Sequence, residues 1–213
     1  MKSLFKKISR RNGILLIGAF IMNALVYYVS KFLTRNAYRY DVTLEIDGHI
    51  PLVTWMIIIY FAAFAYWALN YILSTVYDTG NTDRFIRSHY IGETICFFIF
   101  TFFPTIITRP EITGSSIFDR LVAFTYWIDS PINVFPSIHC FASTLCFIGV
   151  RKNPNIPRWY KIFSFFMTVA ICISTVTVKQ HVFLDVIAGI ALAEISYLLS
   201  GCFKKKIKLG KFI

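Results

Sequence analysis

His181 stands four residues before Asp185, and His139 lies 42 positions earlier, behind a proline and a serine. The spacing predicts that His181 and Asp185 share one face of a helix, so that the carboxylate reaches a ring nitrogen. A carboxylate there fixes the tautomer and makes the other nitrogen the better nucleophile. His139 opens another expected helix at Phe135–His139, with Pro136 in its first turn, where a missing N–H costs nothing. The free amides of such a turn suit an anion. Lys179 and Arg109 add two cations at the same level. Cations and amides suit a phosphate, while one nucleophilic and one acid/base histidine suit its transfer. Any one of these residues could simply cap a helix. Grouped on one membrane face they point to function, because ionisable groups in or beside a membrane are costly.

These residues need elements to hold them, and the composition says which kind. The 213 residues are 56% hydrophobic and 15% charged, with a net charge of +11. That is too apolar and too weakly charged for a soluble domain. The expected class is an all-α polytopic membrane protein with six transmembrane helices, near 13–32, 51–76, 91–107, 135–150, 159–178 and 181–199. The first is too long for a signal-peptide core and is read as a retained span. The fourth is short, so its neighbours are expected to bury one end. Residues 116–128 form an amphipathic stretch in the longest outer loop, with Ile117, Leu121, Phe124 and Ile128 at helical spacing and Tyr126 and Trp127 suited to an interface.

The basic residues set the orientation. Sixteen of the 22 lysines and arginines fall on one side: the basic N-tail (1–12), Arg84 and Arg87, the 151–161 region and the basic C-tail (203–213). The positive-inside rule then puts both termini in the cytoplasm and the histidines on the outer face. The whole chain, 1–213, reads as one integral-membrane domain in the cell membrane. Basic residues gathered at the ends of apolar runs argue against nucleic acid as a partner and for membrane lipids. Five cysteines without CxxC spacing suggest neither a disulfide framework nor a zinc site. His49 and His89 fall in expected polar connections with no partner pattern. Glu194 reads as the one acid well inside a span, turned away from Asp185 and either protonated, paired with another helix or facing a second subunit.

Pro136-Ser137-x-His139 resembles one signature of the type-2 phosphatidic acid phosphatase (lipid phosphate phosphatase) superfamily. Ser174-x6-His181-x3-Asp185 resembles another, and Arg109-Pro110 the end of a third. The resemblance implies that His181 attacks phosphorus to form a phosphohistidine, that Asp185 orients it, and that His139 protonates the leaving alcohol and then activates water. Arg109, Ser137 and Ser174 would belong to the phosphate site, and no metal or other cofactor is implied. Two family cations are absent, since Phe102 and Thr175 stand in their places. Lys179 could supply one, because Lys179-Gln180-His181 is similar to the inositol phosphorylceramide synthase-like branch, as more weakly is Asp47-x3-Pro51. The expected function is a metal-independent lipid phosphatase. Headgroup transfer between lipids and a non-catalytic transporter or scaffold are the alternatives. The particular lipid and the oligomeric state are not encoded in any motif.

Overall fold

The computed structural model describes residues 8–76 and 81–203; the basic residues Lys2, Lys6, Lys7 and those from Lys204 onward lie outside them. The described chain is mostly helical. It runs α1 (Arg10–Leu33), β1 (Tyr40–Asp41), α2 (Glu45–His49), a 3-10 turn (Thr54–Met56), α3 (Ile57–Val76), α4 (Asn81–Phe102), β2 (Thr105–Ile106), α5 (Ile117–Ile128), α6 (Ile138–Arg151), α7 (Arg158–Thr177) and α8 (Phe183–Ser200).

Among the described residues, four helices are long and apolar enough to cross a membrane: α1, Thr54–Val76, α7 and α8. Their outer faces carry large exposed apolar side chains, such as Phe20 and Leu25 on α1 and Phe163 and Phe166 on α7. Such a surface suits hydrocarbon and would be a liability in water. The protein is therefore a membrane protein.

The other two expected spans depart from the pattern for physical reasons. α6 has 14 residues, about 21 Å at 1.5 Å per residue, against a hydrocarbon core of about 30 Å. It is nevertheless the centre of the bundle, touching α3, α4, α7 and α8, with Cys140–Cys146 buried throughout. α4 starts ten residues before its expected boundary and ends at Phe102 rather than 107. Its first turns hold Asp83, Arg84 and Arg87, which a search for apolar runs discards. They are helical because they have partners: Arg11 pairs with Asp83, and Arg84 donates to Tyr197 O at 3.0 Å.

His89 is thus not in a polar connection but buried in α4. Its Nδ1 lies 2.7 Å from Tyr71 Oη and its Nε2 3.0 Å from Ala19 O. Glu93, rather than Glu194, is fully buried inside a helix, accepting from Asn23 at 2.9 Å. Glu194 is partly exposed and paired with Arg151 at 2.6 Å, the interhelix partner among its expected options.

Residues 103–109 are not helix. β2 pairs in parallel with β1, Tyr40 opposite Thr105. Thr105 also organises the approach to α6: its carbonyl accepts from Asn133 N, and its hydroxyl from the amides of Val134 and Phe135. Pro136 lies outside the helix, because Ser137 is the N-cap, its hydroxyl accepting from Cys140 N. α5 starts on a capping box in which Ser116 and Asp119 each accept the other's amide. α6 and α8 cross at Gly189, where a Cβ would fall 2.6 Å from Ser137 O and 2.9 Å from Cys140 Cβ. Only glycine permits that approach.

Candidate active site

Three segments converge at the N-terminal end of α6: residues 133–139, the turn after α7, and the start of α8. The turn is built by Thr175, whose carbonyl accepts both the Gln180 and His181 amides. Between them Lys179 takes a left-handed backbone, φ 55°, which a non-glycine residue adopts only when its surroundings hold it there. Ser137 N donates to Asp185 O at 3.2 Å, tying the start of α6 to α8.

His181 does not lie on a helical face. It precedes Val182, the N-cap of α8, and Asp185 reaches back to it from the first turn. Asp185 Oδ2 accepts from Val182 N at 3.1 Å and lies 3.2 Å from His181 Nδ1. The carboxylate therefore caps the helix and holds the imidazole with one oxygen. His181 Nδ1 is also 3.1 Å from Val134 O. A nitrogen facing two acceptors carries the hydrogen, which leaves the Nε2 lone pair free. Burial alone would push this imidazole below its ordinary pKa. The hydrogen bond and charge of Asp185, helped by Cys140 and Asp129, more than offset that, so His181 titrates above its ordinary value.

His139 lies opposite, its ring centroid 5.9 Å from that of His181. Tyr60 stacks on it at 4.5 Å, and Trp67 and Phe64 complete an aromatic wall. Its Nε2 is buried with no partner among the described residues. Arg109 donates to Asp129 O at 2.6 Å and to Gln180 Oε1 at 2.5 Å, with Tyr126 beneath its guanidinium. Burial lowers its pKa, opposed chiefly by Asp129.

These groups surround an inner cavity of about 390 Å³ whose lining includes His139, His181, Arg109, Gln180, Asn133 and Lys31. Its rim carries exposed Tyr28 and Phe64 on α1 and α3, facing the side of the bundle. The structure thus brings His139, His181, Asp185 and Arg109 together. Ser137 and Ser174 are turned away from the cavity: Ser137 caps α6, and Ser174 is fully buried and donates to Ile171 O. Lys179 does not line the cavity that holds His139; its ammonium donates to the carbonyls of Asp47 and Ile50. Phe102 is 77% exposed, so no cation enters from that position. Thr175 donates its hydroxyl to Cys172 O.

Lys31 is the cation that sequence reasoning missed. It stands in the last turn of α1 and donates to Ser130 at 3.1 Å. It reads as one of several outer-loop charges, and no motif marks it. Gln180, by contrast, sits in Lys179-Gln180-His181 and was open to notice.

A model of the PAP2 superfamily matches residues 41–199. The chain belongs to the PAP2 superfamily. The match spans every candidate residue except Lys31, whose helix precedes it. No curated protein and no solved structure matches the chain. Membership of the PAP2 superfamily points to an enzyme of phosphoester chemistry, a phosphatase or phosphotransferase of the lipid type.

Proposed function

We propose that this PAP2 protein hydrolyses a membrane lipid phosphate, a phosphomonoester or pyrophosphate, through a phosphohistidine and without a metal. The observation that carries this reading is the tautomer of His181, whose Nδ1 faces Val134 O and Asp185. The Nε2 lone pair attacks phosphorus, and the bond to the lipid oxygen breaks. His139, protonated once the negative charge of the bound phosphate faces it, gives its proton to that oxygen. Water then attacks from the same side and loses its proton to His139, the P–N bond breaks, and phosphate is freed. Arg109 balances the charge that builds on the phosphoryl oxygens, with Lys31 as a second cation on the inner cavity.

In this reading α4 and α6 complete six spans with the four long helices, and the distribution of basic residues supports both termini in the cytoplasm and this site on the outer face of the cell membrane. The exposed aromatic rim of the inner cavity suits a substrate arriving from the bilayer. Headgroup transfer is the second reading. It is favoured by Asp47, which accepts from Phe183 N at 2.7 Å and so joins the Asp47-x3-Pro51 segment to the start of α8. The deciding experiment supplies purified protein with a panel of lipid phosphates, with and without an alcohol acceptor. Free phosphate as product supports hydrolysis. Labelled headgroup on a second lipid supports transfer. Neither product removes both.

A further inference from the structure

His181 and Arg109 also line a second, outer cavity of about 480 Å³. Lys179 and Asp47 stand inside it, and Thr43, Gly48, Thr108 and Pro110 are exposed along its border. His139, Lys31 and the aromatic side chains of α1 and α3 are absent from its lining. The nucleophile therefore sits between a cavity whose rim carries the exposed aromatic side chains of Tyr28 and Phe64 and one bordered by the exposed hydroxyls of Thr43 and Thr108 and holding Lys179 beside Arg109.

Lys179 is delivered to the outer cavity by its left-handed backbone. Its ammonium uses two donors on Asp47 O and Ile50 O, and a lysine has three. The two carbonyls hold the charge in place and leave a hydrogen for a further acceptor. Arg109 adds a second cation, and its Nε has no partner among the described residues.

In-line displacement assigns the two cavities different roles. The leaving oxygen and the attacking water must both lie opposite His181 Nε2, on the side served by His139. That side is the inner cavity. The outer cavity meets the nucleophile and Arg109 but not the acid/base, so neither the lipid oxygen nor the water can react from it. What it can receive is the phosphoryl group itself once freed. A phosphate dianion leaving past Tyr28 and Phe64 would have to shed water against an apolar rim, whereas Lys179, Thr43 and Thr108 offer charge and hydroxyls.

We propose that the outer cavity is a phosphate site through which inorganic phosphate leaves, separate from the route the lipid takes. This rests on the hydrolytic reading above. The same chemistry would also hold the phosphate of a lipid headgroup, and the test separates the two.

Lys179→Met and Thr108→Glu are compared with the parent enzyme in detergent, measuring inhibition by inorganic phosphate and the KM for a short-chain lipid phosphate. Losing one charge-assisted contact is expected to raise the phosphate inhibition constant about tenfold or more, while the lipid KM moves less than about threefold. Lys179→Arg should fall between Lys179→Met and the parent. Thr108 is exposed and supplies neither of the carbonyls that hold Lys179, so Thr108→Glu decides the matter if Lys179→Met fails to fold. An unchanged inhibition constant in Thr108→Glu overturns the outer site. A lipid KM that rises in step with the inhibition constant also overturns it, because the cavity then holds the lipid headgroup. The hydrolytic reading fails separately, if His181→Ala still releases phosphate.

Discussion

His89 and His181 each stand four residues before an acid, Glu93 and Asp185, and the two pairs come to opposite ends. In α4 both His89 nitrogens are taken, by Tyr71 and the Ala19 carbonyl, and Glu93 turns to Asn23 instead. At the start of α8 His181 lies ahead of its helix, Asp185 reaches back to it, and among the described residues only Nδ1 is engaged. A histidine with both nitrogens bonded is a strut. One with a single nitrogen fixed and the other free is poised to react. The i,i+4 spacing is the same in both, so the helix boundary makes the difference.

The sharpest way to break that contrast is to remove the proposed nucleophile. His181→Ala should abolish turnover, at a loss of about 10⁴ or more, since a single acid/base or oxyanion group is typically worth about 10²–10⁴. Phosphate release by the purified variant checks it, and near-normal release would sink the mechanism. His139→Ala should slow turnover by about 10²–10⁴ with little change in lipid KM.

Asp185→Asn should cost about 10²–10³, and its pH profile is the more telling readout. In the proposed mechanism His181 attacks only as the neutral ring, and it titrates above its ordinary value. In the parent, kcat/KM should therefore fall as pH drops through that raised pKa. Without the carboxylate's charge this acid limb should move to lower pH. A limb that stays in place would detach Asp185 from His181.

The strut should behave in reverse. His89→Phe leaves Tyr71 and the Ala19 carbonyl without their partner, at about 1–3 kcal/mol for each buried group left unpaired. Thermal stability should drop while activity per folded molecule is kept, and an inactive but stably folded variant would put His89 in the chemistry. The smallest effect is expected from Glu194→Gln. Its pair with Arg151 is partly exposed on both sides, and such pairs contribute about 0–1 kcal/mol. Activity should be close to that of the parent, and loss on the scale of Asp185→Asn would show that the α8 register is misread.

Much of this arrangement was legible in the order of residues. Arg109, His139, His181 and Asp185 meet at one end of the bundle, and the amphipathic stretch at 116–128 is α5 with its N-cap. What escaped reading depended on neighbours distant in the chain. α4 begins in charged residues whose partners lie on α1 and α8, so hydropathy sets its start too late. Residues 103–109 look like the tail of an apolar run, yet they are extended because β1 and the 131–135 segment take up their hydrogen bonds. Lys31 reaches the inner cavity only because α1 packs beside it, and no local pattern encodes that. Lys179 reads as a phosphate cation at the level of the histidines, but the turn that reverses the chain at φ 55° delivers it to the outer cavity, whose lining lacks His139.

Gly189 lies one turn deeper than Asp185, away from every reacting atom, yet it governs whether the site can be transplanted. The absent side chain sets how near α8 comes to the first turn of α6. A chimera that takes α8 from a relative bearing a larger residue there would inherit His181 and Asp185 intact and still hold them at the wrong distance from His139. Exchange should succeed when 137–141 and 189 travel as one cassette, and fail when the signature residues are moved alone.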